Sequence, residues 1–367
     1  MKIAFDQQIF NLQSYGGISR YYIFLAQELL NHSQDVCVFA GVHQNNYLSA
    51  LPRDVVRGVK LSKYPPKSGR IIQTFNHYLA KMQINNWQPN IVHETYYSAM
   101  PLHETTAPRV ITVYDMIHEL YPQMFSNRDN TTNWKLKKVN SAEHIICISQ
   151  NTKNDLIEIF GVEEDKISVT HLGVDLSFSH VHSEQNSEPR RPFLLYVGAR
   201  GGYKNFHAVL QAFSNSNQLR NDFDLVAFGG GSFSRKELYV ISSFGFDDKR
   251  VRQMDGGDED LKELYHLANA FIYPSLYEGF GMPPLEAMAC SCPVISSNAS
   301  SMPEVIGNAG EYFDPTNVDA LIAAIENVVY SSVRSEELRL LGKERIKSFS
   351  WEKTAKRTLD IYQRVVG

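Results

Sequence analysis

The chain has 367 residues, 43% of them hydrophobic and 21% charged, with a formal net charge of −4. That length suits two domains of roughly 100–200 residues each, with room for a ligand cleft between them. The apolar content excludes a disordered or collagen-like chain, and the charge balance speaks against a nucleic-acid partner.

From the amino terminus, Lys2–Phe5 reads as a strand and lacks the apolar run of a signal peptide. A helix is expected over Ser19–Leu30, then strands at Val36–Ala40, Ile91–His93, Val110–Val113 and His144–Ile148, and a helix over Thr152–Phe160. Residues 177–192 are polar and carry two prolines, and read as a linker. Strands follow at Phe193–Val197, Asp224–Phe228, Ala270–Tyr273 and Pro293–Ser296, with helices over Phe206–Phe213, Glu259–Ala268 and Val318–Val329. The chain closes on an amphipathic helix with Trp351, Ala355, Leu359 and Tyr362 on related faces. Apolar strand runs alternating with helices predict α/β domains with parallel sheets covered on both faces.

No stretch approaches the ~18 apolar residues of a membrane span. Cys37, Cys147, Cys290 and Cys292 form no CxxC pair and read as reduced thiols, which points to a cytoplasmic protein. Residues 51–81 carry seven basic side chains (Arg53, Arg57, Lys60, Lys63, Lys67, Arg70, Lys81) against one acid, Asp54. This is either a solvated loop and helix face or a patch for a phosphorylated acceptor or an anionic membrane, where each exposed basic residue adds ~1 kcal/mol.

Three stretches carry candidate chemistry. Tyr15-Gly16-Gly17-Ile18-Ser19-Arg20 opens the first long helix. Its glycines allow backbone amides to approach an anion at a helix N-terminus; the alternative is a plain turn capped by Ser19. The dinucleotide fingerprint GxGxxG is absent, which weakens any hydride-transfer reading. The stretch from Tyr196 to Asn205 repeats the pattern of strand, glycine loop (Gly198, Gly201, Gly202) and helix, now with Arg200 and Lys204. An arginine that grips phosphate bidentately and a compact lysine charge together suit a diphosphate without a metal. Gly229-Gly230-Gly231 ends the next strand and permits another close backbone approach.

The most specific stretch is Pro274 to Ala289, where Glu278 and Glu286 are separated by seven residues across a Gly/Pro-rich turn. Gly279, Phe280, Gly281 and Met282 expose amides at a helix start, with Leu285 just beyond. Glu286 is expected on the first helical turn, where a carboxylate accepts hydrogen bonds from ribose hydroxyls. Glu278, beyond the end of the strand Ala270–Tyr273, is expected in the crevice where open α/β sheets bind ligands. Asp258-Glu259-Asp260 begins a helix rather than ending a strand, so no metal is expected.

On these residues the chain resembles the retaining glycosyltransferases of family 4. Glu278-x7-Glu286 matches the family signature, and Pro293-Val294-Ile295, Ser301-Met302-Pro303-Glu304-Val305, Gly310 and Asp314-Pro315 follow it. The resemblance implies the GT-B fold, two Rossmann-like doubly wound parallel-sheet domains facing a central cleft. Residues 1–180 would bind the acceptor and 181–350 the nucleotide sugar, with the terminal helix 351–367 packing back on the first domain. The implied nucleotide-sugar contacts are Gly16, Gly17, Gly198, Arg200, Lys204, Gly229, Gly230, Glu278, Gly279, Phe280, Gly281, Met282, Leu285 and Glu286. Glu278, Arg200 and Lys204 are also the implied catalytic groups.

The Gly-Gly-Ile-Ser-Arg-Tyr form of the first loop is similar to bacterial mannosyltransferases of O-antigen and exopolysaccharide assembly. The expected donor is therefore GDP-mannose, a substrate with no further cofactor, and the acceptor a saccharide or lipid-linked saccharide at the inner membrane face. A UDP- or dTDP-sugar donor, a nucleotide-sugar epimerase and a degenerate sugar-binding protein are the alternatives. One departure stands out: the family's histidine before the aspartate of the middle strand is Tyr114 here. Asp115 and His118 are the residues expected to serve in its place.

Overall fold

The computed structural model describes residues 1–98, 105–175, 191–247 and 249–367. The chain divides into two compact units, Met1–Gly173 with Trp351–Gly367, and Val174–Ser350. The segment expected as a linker, 177–192, lies outside the described residues apart from Arg191 and Pro192.

The first unit contains β1 (Lys2–Phe5), β2 (Asp35–His43), β3 (Val56–Lys60), β4 (Ile91–Glu94), β5 (Arg109–Val113), β6 (His144–Cys147) and β7 (Ile167–Val169). They form one seven-stranded sheet in the order β3-β2-β1-β4-β5-β6-β7, with every pairing parallel. The second unit contains β8 (Phe193–Val197), β9 (Asp224–Phe228), β10 (Val251–Met254), β11 (Ala270–Tyr273), β12 (Val294–Ser297) and β13 (Gly310–Phe313). Its six-stranded sheet has the order β10-β9-β8-β11-β12-β13 and is likewise parallel.

Strands β1, β8, β9 and β11 have the bounds expected from the sequence, because their apolar runs are buried on both faces. The strands absent from the sequence reading are β3, β7, β10 and β13, all near or at a sheet edge. Every residue of β3 is at least partly exposed, and β7 is three residues long, so neither carries a continuous apolar signal. The helices Gly69–Trp87, Thr131–Ser141, Arg235–Ser243 and Ser332–Arg345 also went unread. In each sheet the strand order reverses beside the first strand, between β1 and β4 and between β8 and β11. The crevice outside the strand ends at such a point is where doubly wound sheets take ligands.

The last helix, Trp351–Val366, belongs to the first unit. Trp351 stacks on Phe24 at 4.8 Å, and Thr354 Oγ1 donates to the His171 carbonyl at 2.8 Å. Tyr362 reaches fully buried His93, whose Nδ1 lies 2.5 Å from the tyrosine hydroxyl. All four cysteines are free and buried. Among the described residues, no helix is long and apolar enough to cross a membrane.

Burial lowers the His93 imidazole from 6.5 to about 3, so it is neutral in the folded protein. Burial also lowers His43, His77 and His144. An unfolded chain takes up these protons below about pH 6.5 while the folded chain does not. Stability is therefore full above that pH and falls as pH drops, by at most about 1.4 kcal/mol per pH unit for each histidine. The variant His93→Gln is expected to show a shallower fall of the thermal midpoint between about pH 6.5 and 4. An unchanged slope would remove His93 from this account.

Candidate active site

In the second unit two loops meet at the reversal point. After β8, Gly198 turns the chain at φ +126°, and Gly202–Lys204 forms a short 3-10 turn. Asn205 takes a left-handed conformation and anchors the turn by donating Nδ2 to the carbonyls of Pro274 (3.1 Å) and Pro315 (2.9 Å). The helix Phe206–Asn215 starts immediately afterwards. After β11, the loop containing Glu278 is tied to the first by Leu276 N–H donating to the Tyr203 carbonyl at 2.7 Å.

These ties bring together two groups 74 residues apart: Lys204 Nζ donates to Glu278 Oε1 at 2.7 Å. Ser275 Oγ donates to the same oxygen at 2.6 Å. The Glu278 backbone is pinned as well. Its N–H donates to Ser300 Oγ at 2.8 Å, and its carbonyl accepts from Ser300 Oγ at 3.0 Å and Ser301 Oγ at 2.8 Å. Ser301 also donates to the Phe280 carbonyl at 2.8 Å. Tyr273 lies beneath; burial first, and then the Glu278 charge, push its hydroxyl pKa well above 10.0. The lysine side chain is 21% exposed and the glutamate 10%, so the pair is shielded yet reachable. Sequence reasoning missed Ser275 and Ser300, although Ser300 directly precedes the Ser301-Met302-Pro303-Glu304 stretch it had singled out.

Gly281, at φ +113°, caps the helix Met282–Ala289, with proline in its first turn. Glu286 is therefore the fifth helical residue, past the first turn where it was expected. It is buried. After burial itself, its charge is the main influence raising Tyr265 well above 10.0.

Arg200 is placed differently from its neighbour Lys204. Its side chain is 3% exposed, with Nε donating to Glu237 Oε1 at 2.6 Å. Nη1 donates to the Gly229 carbonyl at 2.6 Å and Nη2 to that of Gly231 at 2.7 Å, while the guanidinium lies 4.8 Å from the centre of the Phe233 ring. Gly229, Gly230 and Gly231 all have φ near +70° to +79°, a left-handed run that turns their carbonyls onto the arginine. A Cβ on Gly230 would stand 2.8 Å from Nη1. Partial burial alone would raise the Glu237 carboxyl, but hydrogen bonds from Arg200 and Ser234 outweigh it and hold the group below 4.5. The two cations of one loop thus have different surroundings: Lys204 faces Glu278, and Arg200 clamps the glycine turn.

In the first unit, Gly16 and Gly17 stand at the start of the helix Gly17–Asn31. Gln13 supplies the cap, its Oε1 accepting from Ser19 N–H at 3.0 Å. Ser19 is the third helical residue, not the cap, and donates Oγ to the Gly16 carbonyl at 3.0 Å. A Cβ on Gly16 would collide with Gln13 at 2.3 Å, whereas Gly17 faces open space. Asp115 accepts from Ile117 N–H at 3.1 Å and, through its carbonyl, from Lys135 at 2.9 Å. Tyr114 is buried beside Tyr21.

His118 stacks on Phe125 at 3.9 Å, with Nε2 3.8 Å from Asp129 Oδ2. It lines a cavity of about 520 Å³ with Gln7, Gln8, Tyr96, Tyr97 and Trp134. Buried Asp6, at the end of β1, orders this wall by accepting from the Thr95 N–H (2.9 Å) and from Gln8. The amide oxygens of Gln7 and Gln8 are buried without a hydrogen-bond partner among the described residues. Unsatisfied acceptors beside aromatic rings suit a polyhydroxylated ligand. Neither glutamine was read from the sequence, where they form part of an unremarkable Asp-Gln-Gln.

Two family models divide the chain. One, described as glycosyltransferase family 4, matches residues 15–178, and the other, glycosyl transferases group 1, matches residues 178–345. O-antigen chain mannosyltransferase B of Escherichia coli is 31% identical over 245 residues, and the match spans 62% of this chain and 62% of that protein. O-antigen chain mannosyltransferase RfbU of Salmonella typhimurium is 26% identical over 301 residues, 80% of this chain and 81% of its own. Among solved structures, sucrose-phosphate synthase from Thermosynechococcus elongatus superposes with a TM-score of 0.79 at 21% identity, covering 99% of this chain and 98% of that one. The paired parallel sheets and this likeness make the fold GT-B.

Proposed function

Since the chain belongs to glycosyltransferase family 4, we propose that it transfers mannose from GDP-mannose, with retention, to a saccharide or lipid-linked acceptor in cell-surface polysaccharide synthesis. The observation that carries the reading is the Lys204–Glu278 pair at the carboxyl ends of β8 and β11. The mannosyl donor rests on the names of the O-antigen relatives.

In the proposed reaction the bond from the anomeric carbon to the diphosphate oxygen breaks as the acceptor oxygen bonds to the same face. The acceptor proton passes to the departing diphosphate oxygen, so no protein group has to act as a base. Lys204 and the amides of the Gly198 and Gly281 turns stabilise the charge developing on the diphosphate. Glu278 accepts from donor-sugar hydroxyls, and Glu286 from the ribose. Arg200 acts as a positioning residue, holding the Gly229–Gly231 turn against the nucleotide. The acceptor sugar occupies the cavity lined by His118, Gln7 and Gln8, whose unpaired oxygens would receive its hydroxyls. Basic segment 51–81 draws the protein to an anionic membrane carrying that acceptor.

Purified protein offered GDP-mannose, UDP-glucose and dTDP-sugars should release GDP fastest and be stabilised most by GDP. Faster release from a UDP-sugar would replace the donor; silence on all of them, with no stabilisation, would overturn the transferase reading. Glu286→Ala is expected to raise the donor KM about tenfold to a hundredfold, with kcat changed far less, because a ribose contact is made equally in ground and transition states. A wild-type KM would remove Glu286 from the nucleotide site.

A further inference from the structure

The helix Gly69–Trp87 carries its apolar residues on the face that a domain helix ordinarily gives to water. Its buried positions are Asn76, His77, Ala80 and Ile84, packed towards β2. Two of these four are polar, and Asn76 is engaged in holding β2, accepting from Val42 N–H and donating to the Val42 carbonyl, both at 2.8 Å. About half a turn around the helix stand Ile71, Phe75, Tyr78 and Met82, exposed by 72%, 55%, 61% and 55%. Their spacing keeps all four on one stripe.

The stripe has a basic collar. Lys60, Lys63, Lys67 and Arg70 are exposed and lead directly into the helix. Among the described residues, none of Lys60, Lys63, Lys67 and Arg70 forms an ion pair. A contiguous apolar stripe of this kind on a soluble face marks an interaction surface. Its charge selects the partner. A second copy docked face to face would set one basic collar against the other, and like charges at an interface disfavour the contact. An anionic surface satisfies both features: headgroups meet the collar, and the stripe enters the boundary between headgroups and acyl chains.

We propose that the outer face of Gly69–Trp87 is a bilayer-docking surface, with Ile71, Phe75, Tyr78 and Met82 inserting and Lys63, Lys67 and Arg70 contacting anionic headgroups. This rests on the peripheral-membrane part of the reading above and adds the inserting face to it. Gln73 of the same helix lines the His118 cavity, so a saccharide carried on a membrane lipid would meet that cavity beside the docked helix.

The test is flotation of the full chain with vesicles of phosphatidylcholine, with and without phosphatidylglycerol, at low and high salt. Wild type should float with the anionic vesicles only, and less at high salt. Phe75→Glu/Tyr78→Glu should weaken binding about tenfold or more, and Lys63→Glu/Lys67→Glu/Arg70→Glu by a similar factor. Both variants should keep the wild-type thermal midpoint and GDP release from soluble donor, since the altered side chains are exposed and outside the candidate site. Loss in the charge variant with wild-type binding in the apolar variant would leave the electrostatic contact standing and overturn the inserting face. No flotation of wild type would overturn both. A concentration-dependent dimer that Phe75→Glu/Tyr78→Glu dissolves, without vesicle binding, would assign the face to a second copy and overturn the proposal.

Discussion

Lys204→Met is expected to lower kcat by about a hundredfold to a thousandfold while changing the donor KM much less. The expected size is that of removing one preorganised donor from a developing negative charge. In the proposed reaction the diphosphate leaves without a proton from the protein, so its charge rises sharply in the transition state, and a nearby ammonium acts mainly there. The geometry supports this division of labour. Lys204 is held at 2.7 Å by Glu278, which is fixed in turn by Ser275, Ser300 and Ser301, so the cation is oriented before donor arrives. Because Glu278 also orients Lys204, the losses from Lys204→Met and from Glu278→Gln should be less than additive in the double variant. Steady-state and single-turnover kinetics on the three variants check this. A large rise in KM with intact kcat would make Lys204 a ground-state contact, and fully additive losses would separate the pair.

Arg200→Met is expected to act first on stability, lowering the unfolding free energy by about 1–2 kcal/mol. It leaves Glu237 without its cation and the carbonyls of Gly229 and Gly231 without a donor, in a turn whose three residues hold positive φ. The guanidinium that is removed is itself buried, whereas Glu237 is 28% exposed and Gly231 lies at the surface, so water replaces part of what is lost. Gly230→Ala should destabilise in the same direction, through its Cβ against Nη1 and its φ of +72°. At a temperature where Arg200→Met is folded, the donor KM should rise more than kcat falls, as suits a positioning residue. Wild-type stability together with a collapsed kcat would instead put the guanidinium on the diphosphate itself. Thermal unfolding and kinetics on the same preparations distinguish the two outcomes.

The two predictions separate residues that the sequence presents as equals. Arg200 and Lys204 lie four positions apart in one glycine loop, and any local reading assigns both to an anion. Their partners come from distant segments, Glu237 and Gly229–Gly231 in one case and Glu278 in the other. Glu286 shows a milder version of the same limit. Its helix was legible from the Gly/Pro turn, but the starting residue depended on Gly281 taking φ +113°. His118 and Asp115 were both expected in the site. His118 lines the cavity of the first unit, while the Asp115 carboxylate caps Ile117 beside it.

By itself the sequence determined the central strands, the glycine loops at their ends and the family. Runs such as Phe193–Val197 and Ala270–Tyr273 allow no other burial, and Glu278-x7-Glu286 is a local spacing that needs no partner to be recognised. Tertiary structure decided what depends on neighbours distant in sequence. It gave the edge strands β3 and β10 their hydrogen bonds from β2 and β9, although their own residues are half polar. It joined Trp351–Val366 to the unit that begins the chain. It turned Ile71, Phe75, Tyr78 and Met82 outward, because periodicity identifies a helix face but not which side of the helix the rest of the protein covers. The same physical reason separates Lys204 from Arg200: a side chain's charge is local, while the group that meets it belongs to the fold.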